Sequence, residues 1–486
     1  MSMEINTSDL ALRYIRGSLQ SELFEQIRLR ILDARWSSGA RLPSTRVLAS
    51  QLGLSRNTVI LAYEQLVAEG YLVAQKGSGY YVARLVPDHY LSSAALHKSL
   101  CQESRHSARD ASPSDGLFSP GVADLAEFPT AHWQRLLSRH ANRSTLLGNQ
   151  DLQGLLPLRQ ALHSYLTASR SVSCHPDQII ITSGAQQAIA IALLATRTSS
   201  AERAFLVESP GYKQVIKALE MFAIPYESVD VNPSSGWDIE KILTSGACGI
   251  YLTPSNQYPM GRSMPISERL QLIDWSKRSQ SWVIEDDYDS EFQFESRPLR
   301  SMQGLSVERV HAGRMIYIGS MSKVMFNALR IGYMVVPDSL IERCMSIKDA
   351  MSGDSPSHVQ AALADFIDEG GLVRHIRKMR RLYEQKYQQI LVSIERYLGN
   401  EWAVTSQGAG LHVTVSWTRA VDEQHFAIQA KEKGIVVRPL TYYEPVNNPR
   451  EYGAVVLGFG NAPLKHIDEH IRQLAELFRA LCTQVD

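Results

Sequence analysis

The stretch GSMSKVMFNALRIGY, from Gly319 to Tyr333, places one lysine, Lys323, between two serines and an arginine, Arg330, seven residues further on. It begins at the end of the apolar run MIYIG (315–319), which has the composition of a buried strand. A strand end that presents an amine, two hydroxyl groups and a guanidinium combines a nucleophile with groups that bind phosphate. A single lysine is by default an exposed surface residue, so this interpretation depends on what the rest of the chain supplies.

The composition is that of a soluble globular protein, with 486 residues, 44% apolar and 21% charged. This length exceeds the usual size of one hydrophobic core, so we expect two or three domains. The formal net charge of zero excludes a global attraction to nucleic acid, although residues 1–84 carry ten Lys/Arg against seven Asp/Glu. The five cysteines are widely spaced, which argues against a disulfide framework and a zinc site.

The first residues lack the basic-then-apolar order of a signal peptide. The apolar runs are much shorter than the roughly 20 residues that a membrane span needs. Together with the cysteine usage, this predicts a cytoplasmic protein that has no membrane contact and no metal.

Three zones differ in pattern. Residues 20–84 are dense in helical periodicity and end in a β-like stretch, and residues 85–115, rich in Ser, Ala and His, have the character of a linker. Residues 116–486 alternate short β-branched runs with helical segments, which predicts a mostly parallel sheet covered by helices on both faces. Its last part, about 375–486, predicts a smaller α+β lobe. The predicted strands are QIIIT (178–182), AFLVE (204–208), GIYLT (249–253), WVIED (282–286), MIYIG (315–319) and GYMVV (332–336).

The segment from Arg41 to Val82 predicts a helix–turn–helix followed by a hairpin. Ser44 and Ser55 can cap two successive helices, with Gly53 in the turn between them. Because the apolar residues of the second helix share one face, its first turn, Arg56-Asn57-Thr58, faces outward. An arginine and an asparagine at this position suit the major groove of DNA, where they read guanine and adenine. A helical protein-interaction domain is also compatible with this pattern. The inward-facing residues are Val59, Ala62, Tyr63, Leu66 and Val67.

This segment closely resembles the winged helix of the GntR family, without gaps from Arg41 to Val82. A single module of this kind makes few contacts, so we expect a dimer that reads two half-sites of double-stranded operator DNA. The resemblance implies DNA contacts by Arg46, Ser55, Arg56, Asn57, Thr58, Lys76 and Gly77.

Two fragments of the larger zone supply partners for the amine. TSGAQQAI (182–189) follows a predicted strand and opens a helix, where free backbone amides bind anions and Gly184 permits close approach. EDDYDSEF (285–292) places Asp286 and Asp287 at the end of a predicted strand, where parallel sheets bind their ligands. In isolation, these carboxylates are also compatible with a solvated acidic loop or a metal site.

The fragments occur in the order found in fold-type I aminotransferases, which residues 116–480 resemble. The resemblance implies that Lys323 forms a Schiff base with pyridoxal 5′-phosphate (PLP) and that Asp286 pairs with the pyridine nitrogen, so that the ring acts as an electron sink. The motifs that carry it are FPTAHW (128–133), TSGAQQAI (182–189), ESPGY (208–212), TPSNQYPMG (253–261), EDDYDSEF (285–292) and GSMSK (319–323). The other implied cofactor contacts are Tyr288 and Asn256 at the ring hydroxyl, Tyr212 on the ring face, and Gly184, Ala185, Ser320, Ser322 and Arg330 at the phosphate.

A winged helix of this kind joined by a linker to an aminotransferase-like domain is the layout of the MocR/GabR family of transcriptional regulators, which RHIRKMR (374–380) also resembles. The resemblance implies a head-to-tail homodimer that senses PLP, or an amine that exchanges onto it, through Lys323. Two alternatives remain open. One is a genuine aminotransferase with an appended DNA-binding domain, and the other is a DNA-binding protein whose large domain only dimerises.

Four positions qualify the resemblance. Asn256 replaces a histidine common in relatives but matches the enzymes, whereas Asn327 replaces a proline and should loosen its loop. Asn149 stands where a tyrosine can reach the neighbouring subunit's phosphate. The motif VVLGFG (455–460) lacks the arginine with which enzymes bind the substrate carboxylate, so Arg438 is the nearest candidate for an effector carboxylate, although a surface arginine at a strand end is an equal alternative.

Overall fold

The computed structural model describes residues 10, 19–84, 116–197, 203–294, 299–308, 314–444 and 450–485. The chain divides into two compact units, residues 1–110 and residues 111–486. The linker predicted at 85–115 lies outside the described residues.

The described residues of the first unit, 10 and 19–84, form a winged helix with three helices. Its helices are Leu19–Leu32 (α1), Thr45–Leu52 (α2) and Arg56–Ala68 (α3), and its antiparallel wing pairs Leu72–Gln75 (β1) with Gly79–Val82 (β2). α2 and α3 form the predicted helix–turn–helix, and the hairpin follows directly. The GntR-type fold predicted from the sequence is confirmed.

Local chemistry explains the bounds of these helices. The hydroxyl of Ser44 accepts a hydrogen bond from the backbone nitrogen of Val47 at 3.3 Å, and that of Ser55 accepts one from Thr58 at 3.1 Å. Gly53 ends α2 in the left-handed conformation, with φ of 64°, which a residue without a Cβ adopts freely. The predicted inward stripe is also confirmed: Val59, Ala62, Tyr63 and Leu66 are buried, and Val67 is half-buried against them.

The second unit is built on an eight-stranded mixed sheet. In spatial order the strands are Ile179–Thr182 (β3), Gly332–Val335 (β10), Met315–Ser320 (β9), Trp282–Asp287 (β8), Gly249–Leu252 (β7), Phe205–Ser209 (β4), Tyr226–Asn232 (β5) and Gly236–Trp237 (β6). β9, β8, β7, β4 and β5 run parallel to one another, whereas β10 and β6 are antiparallel to their neighbours. All six predicted runs are strands, and the predicted mostly parallel sheet is confirmed.

Helices cover both faces of this sheet. Neighbouring residues of one strand enter different hydrophobic clusters: Leu206 and Val283 pack on one side, and Val207 and Ile284 on the other. Such strands are apolar throughout, which is why their sequences show no alternation. The helices of this part are Thr130–Ala141 (α4), Leu156–Arg170 (α5), Ala185–Thr196 (α6), Lys213–Met221 (α7), Ile239–Thr244 (α8), Ile266–Ser279 (α9), Met302–Glu308 (α10), Asp338–Ser352 (α11) and Ser357–Asp368 (α12).

The C-terminal part forms an α+β lobe. Its antiparallel sheet has the order Ala403–Val404 (β11), His412–Trp417 (β12), Gly453–Gly458 (β14) and Arg438–Pro439 (β13). The helices Gly371–Leu398 (α13), Glu423–Glu432 (α14) and Ile467–Val485 (α15) complete it. Trp402 stacks on Trp417 with ring centroids 5.6 Å apart, and Phe478 packs against both rings. Among the described residues, no helix combines the length and apolar character that crossing a bilayer requires.

Candidate functional site

The predicted amine and carboxylate meet at one edge of the large sheet. β8 and β9 are parallel neighbours, with Asp286 paired to Ile318 in register, and Lys323 follows three residues after β9 ends at Ser320. The carboxyl ends of parallel strands are where open α/β sheets bind ligands. Here they border a cavity of about 840 Å³ that Lys323 and Asp286 both line.

Lys323 has the character of a nucleophilic amine. Its side chain is half-buried, and Nζ donates a hydrogen bond to the backbone carbonyl of Gly121. Burial lowers the pKa of Lys323 to about 8, opposed by Asp289 and assisted by Arg438. A substantial fraction of this amine is therefore neutral near physiological pH, which is the form that attacks a carbonyl carbon.

Asp286 presents one free oxygen to the cavity. Its Oδ2 accepts a hydrogen bond from the Tyr251 hydroxyl at 2.5 Å, whereas its buried Oδ1 has no hydrogen-bond partner among the described residues. Burial raises the pKa of Asp286 to about 7, although the Tyr251 hydrogen bond opposes this shift. A buried carboxylate oxygen without a donor is suited to a protonated ring nitrogen.

Asp287, the next residue, has a different role. Its Oδ2 accepts hydrogen bonds from Arg170 Nε and from the Tyr317 hydroxyl, both at 2.6 Å. Burial acts to raise the pKa of Asp287, but Arg170 and Tyr317 hold it below its usual value. Because the side chains of adjacent strand residues point to opposite faces, only Asp286 lines the cavity.

The two residues predicted at the ring hydroxyl also have unpartnered polar atoms. Tyr288 lines the cavity, and its buried hydroxyl has no hydrogen-bond partner among the described residues. Asn256 is 2% exposed and lies behind the cavity wall, where its Nδ2 donates to Asp289 Oδ1 at 2.8 Å and its Oδ1 is unpartnered. Tyr212, predicted on the ring face, immediately precedes α7 and lines the cavity, where burial and Asp286 raise the pKa of its hydroxyl to about 12.

A cup of anion-binding groups closes one end of the cavity. Gly184, with φ of 90°, immediately precedes α6, whose first residue, Ala185, lines the cavity. A Cβ at position 184 would lie 3.0 Å from the guanidinium of Arg330, which donates to the Ser183 carbonyl at 2.7 Å. Free amides at a helix start and a guanidinium together form a phosphate site.

The two serines of the opening motif belong to the same cup. Ser320 and Ser322 line the cavity, and their hydroxyl oxygens are 3.0 Å apart. The backbone nitrogen of Ser322 also donates to the Ser320 hydroxyl at 3.2 Å. Asn327 starts a short 3-10 turn, Asn327–Leu329, that leads directly to Arg330. The predicted loosening of this loop stays a prediction.

Arg438 lies in the cavity wall and is not an exposed surface arginine. It is half-buried, and its Cζ is 5.0 Å from the ring centroid of Tyr442. Lys213 contacts the same ring, with Nζ 4.4 Å from the centroid. Among the described residues, neither cation forms an ion pair with a carboxylate. Asn149, by contrast, is exposed and does not line the cavity.

Sequence reasoning missed several residues of the cavity. Gly121 and His412 lie outside the quoted motifs, and Tyr251 has the pattern of an ordinary strand residue. Burial lowers the pKa of His412 to about 4, so its ring is neutral. Asp289 lies within the motif EDDYDSEF (285–292), but its spacing in the sequence does not distinguish a buried carboxyl group in the cavity wall from an exposed one in a loop.

The arrangement fits the predicted cofactor. It offers a partly neutral amine, a free carboxylate oxygen, two unpartnered polar atoms and an anion-binding cup around a single cavity. Unpartnered buried polar atoms are rare in native proteins and call for a partner such as a ligand.

The recognition surface of the first unit is exposed. Arg56 and Asn57 are exposed at the start of α3, and Thr58 is half-buried beside its cap. Arg46 is exposed on α2, and Lys76 and Gly77 form the exposed tip of the wing, with Gly77 at a φ of 79°. Ser55 is also exposed, but its hydroxyl is engaged by the backbone nitrogen and hydroxyl of Thr58.

Comparison with known proteins assigns both units. Residues 19–82 match the bacterial regulatory proteins of the gntR family, and residues 121–450 match aminotransferase class I and II. The chain is 35% identical over 479 residues to the probable rhizopine catabolism regulatory protein MocR of Rhizobium meliloti, covering 95% of this chain and 94% of that protein.

The chain belongs to the MocR/GabR-type family of transcriptional regulators.

A second relative agrees with this assignment, and a solved structure shows the fold of the second unit. The pyridoxine biosynthesis transcriptional regulator PdxR of Corynebacterium glutamicum is 31% identical over 370 residues, covering 76% of this chain and 77% of that protein. The α-aminoadipate aminotransferase LysN of Thermus thermophilus, solved with N-(5′-phosphopyridoxyl)-L-leucine, superposes with a TM-score of 0.69 at 23% identity, covering 77% of this chain and 96% of that one. The second unit therefore has the fold-type I aminotransferase fold, and the first is a DNA-binding unit.

Proposed function

We propose that this regulator binds PLP covalently at Lys323 and that occupancy of the cavity by PLP, or by an amine bound to it, changes its affinity for operator DNA. The observation that carries the proposal is the pairing, within one cavity, of the partly neutral Lys323 amine with the unpartnered Asp286 Oδ1. When bound, the cofactor supplies an aldehyde that condenses with amines and a ring that withdraws electrons.

The residues of the chain divide this task. Lys323 would provide the attacking nitrogen, and Asp286 would accept a hydrogen bond from the protonated ring nitrogen with Oδ1, the oxygen that Tyr251 leaves free. Tyr288 and Asn256 would hold the ring hydroxyl, and Tyr212 would cover the ring face. The cup made by Gly184, Ala185, Ser320, Ser322 and Arg330 would hold the phosphate.

We propose Arg438 as the group that binds an acidic effector. It and Lys213 place two cations on one ring in the cavity wall, and Tyr443 beside them is hydrogen-bonded to Tyr258 with hydroxyl oxygens 2.9 Å apart. A cationic wall in the same cavity as the reactive amine suits an effector that carries an amine at one end and an anionic group at the other.

The DNA contacts remain those predicted at Arg46, Ser55, Arg56, Asn57, Thr58, Lys76 and Gly77, supported by the exposure of six of them and the half-buried position of Thr58. We further propose a head-to-tail homodimer. Its support is the membership of the chain in this family, whose resemblance implies that arrangement; Leu147, 71% exposed, and Leu125, 58% exposed, are large apolar side chains available to a second subunit.

A genuine aminotransferase is the second candidate, because the cavity combines a partly neutral lysine amine, Lys323, with the carboxylate of Asp286 and an anion-binding cup. Incubation of the PLP-loaded protein with amino donors and 2-oxo acids separates the two functions. We expect at most a few turnovers per subunit. Sustained production of the keto acid at rates of about 1 s⁻¹ or more would instead establish an enzyme.

A further inference from the structure

Asp289 is a buried carboxyl group that no predicted role includes. It is 1% exposed, lines the cavity, and follows directly after Tyr288. Its Oδ1 accepts a hydrogen bond from Asn256 Nδ2 at 2.8 Å, so it engages the amide of a residue proposed to hold the ring hydroxyl. Burial raises the pKa of Asp289 to about 8, opposed by Asn256 and Lys323.

Gly410 packs closely against this pair on one side. A Cβ on Gly410 would lie 2.3 Å from Asn256 Nδ2 and 2.3 Å from Asp289 Oδ2. Gly410 has φ of 72°, a conformation that favours glycine. The backbone at Gly410 therefore supports the carboxylate and the amide at the same point, which fixes the direction in which Asn256 presents its other atoms.

Asp289 is also the carboxylate that most strongly favours the charged form of Lys323. Burial is the largest influence on that amine, followed by Asp289, with Arg438 and then Asp286 acting less. The other titratable and charged groups that act on Asp289 or Lys323 are Asp287, Tyr288, Glu291 and His412.

We propose that Asp289 is a positioning residue that orients Asn256, through the hydrogen bond from Asn256 Nδ2 and the close packing of both side chains against Gly410. The inference rests on the proposed binding of PLP at Lys323, with Asn256 at the ring hydroxyl. Loss of this hydrogen bond releases the Asn256 side chain and weakens its contact with the cofactor.

Two substitutions at position 289 test whether the hydrogen bond to Asn256 carries this role. Asp289→Asn keeps the shape and an oxygen that accepts from Asn256 but removes the charge, whereas Asp289→Ala removes both. Asp349→Asn is the matched control, because Asp349 is an exposed carboxylate on α11 away from the cavity.

The measurement is the dissociation constant of each variant for PLP, from titration of its visible absorption band. For Asp289→Asn we expect PLP binding within about twofold of the wild type, since the amide oxygen still accepts a hydrogen bond from Asn256. For Asp289→Ala we expect PLP binding weakened on the order of tenfold, the effect of one lost hydrogen bond. Asp349→Asn should match the wild type.

A wild-type protein that forms the visible band, together with an Asp289→Ala variant whose dissociation constant for PLP is unchanged, would overturn this inference while leaving the proposed function intact. So would an Asp289→Asn variant that binds PLP as weakly as Asp289→Ala. Absence of any visible band from the wild type with PLP would instead reject the proposed function, and this inference with it. Gly410→Ala provides a further check, since its Cβ would displace the pair without removing either group, and we expect weaker PLP binding. Unchanged binding in Gly410→Ala would count against the orienting role.

Discussion

The two units differ in where their proposed binding residues lie: at the exposed surface in the winged helix, and in a largely buried cavity in the aminotransferase-like unit. In the winged helix, the residues proposed to contact DNA are largely exposed at the surface, and their positions follow from local signals: a capping serine, a turn glycine and an apolar stripe. In the aminotransferase-like unit, the proposed contacts come from strand ends far apart in sequence and include buried carboxyl groups with raised pKa values. An exposed cationic surface suits a large polyanion, whereas a buried amine needs a low-dielectric cavity to lose its charge.

The largest expected effect is on covalent PLP attachment, and it should distinguish two lysines, Lys323 and Lys348, whose pKa values burial lowers alike. Lys323→Ala should abolish covalent PLP attachment completely, because Lys213, the other lysine that lines the cavity among the described residues, packs on the Tyr442 ring. Lys348→Met is the matched control: burial lowers the pKa of Lys348 to about 8 as well, but its Nζ donates to the Leu152 carbonyl and does not line the cavity. The visible spectrum and the mass of borohydride-reduced protein measure the outcome. A PLP adduct retained in Lys323→Ala would place the reactive amine elsewhere.

Substitution of the two adjacent aspartates should change different properties, protein stability for Asp287 and PLP affinity for Asp286. Asp287→Ala breaks the buried pair with Arg170 and should lower the free energy of unfolding by about 3–5 kcal/mol. Asp286→Ala should instead weaken PLP binding by about 2–3 kcal/mol, on the order of 30- to 150-fold in Kd, because it removes the charged partner of the ring nitrogen. Denaturant unfolding and PLP titration test the pair. Equal loss of PLP affinity in both variants would contradict the division of roles drawn from their opposite faces.

Substitution of an exposed residue in the recognition helix α3 should weaken operator binding without lowering the stability of the first unit. Arg56→Ala should weaken specific operator binding by about 1–3 kcal/mol if the residue reads a base. Arg35→Ala removes an exposed arginine outside the helix–turn–helix and is the control. Mobility-shift titration at fixed salt measures both. Equal operator affinity for Arg56→Ala and wild type would mean that α3 does not read the DNA as proposed.

The smallest effect concerns the cap of that helix. Ser55→Ala should lower the stability of the first unit by about 1 kcal/mol, because the Thr58 amide loses its acceptor. Ser55→Asn should retain most of the stability, since asparagine caps equally well. Thermal unfolding of the two variants tests the difference, and identical midpoints for alanine and asparagine would reject the capping argument.

The sequence predicted the fold of both units because the relevant signals are short and periodic. The apolar runs became strands, and Ser44, Gly53 and Ser55 set helix bounds where expected. The sequence also predicted that Lys323 and Asp286 lie near each other, because each is at or just after the carboxyl end of a predicted strand. The residue pattern alone did not separate Asp286 from Asp287, whose roles depend on which face of one strand each occupies. Only the family resemblance selected Asp286, the one of the two that lines the cavity. Asp289 and Tyr251 were missed because their importance comes from burial and from partners that only the folded chain brings near.

One measurement tests the central claim most directly: the affinity of the full-length protein for its operator with and without PLP, for wild type and Lys323→Ala. We predict that the wild type becomes coloured on addition of PLP and that its operator affinity changes at least several-fold, whereas Lys323→Ala stays colourless and its operator affinity does not respond. A wild-type protein that remains colourless, or whose operator affinity is the same with and without PLP, would contradict the account.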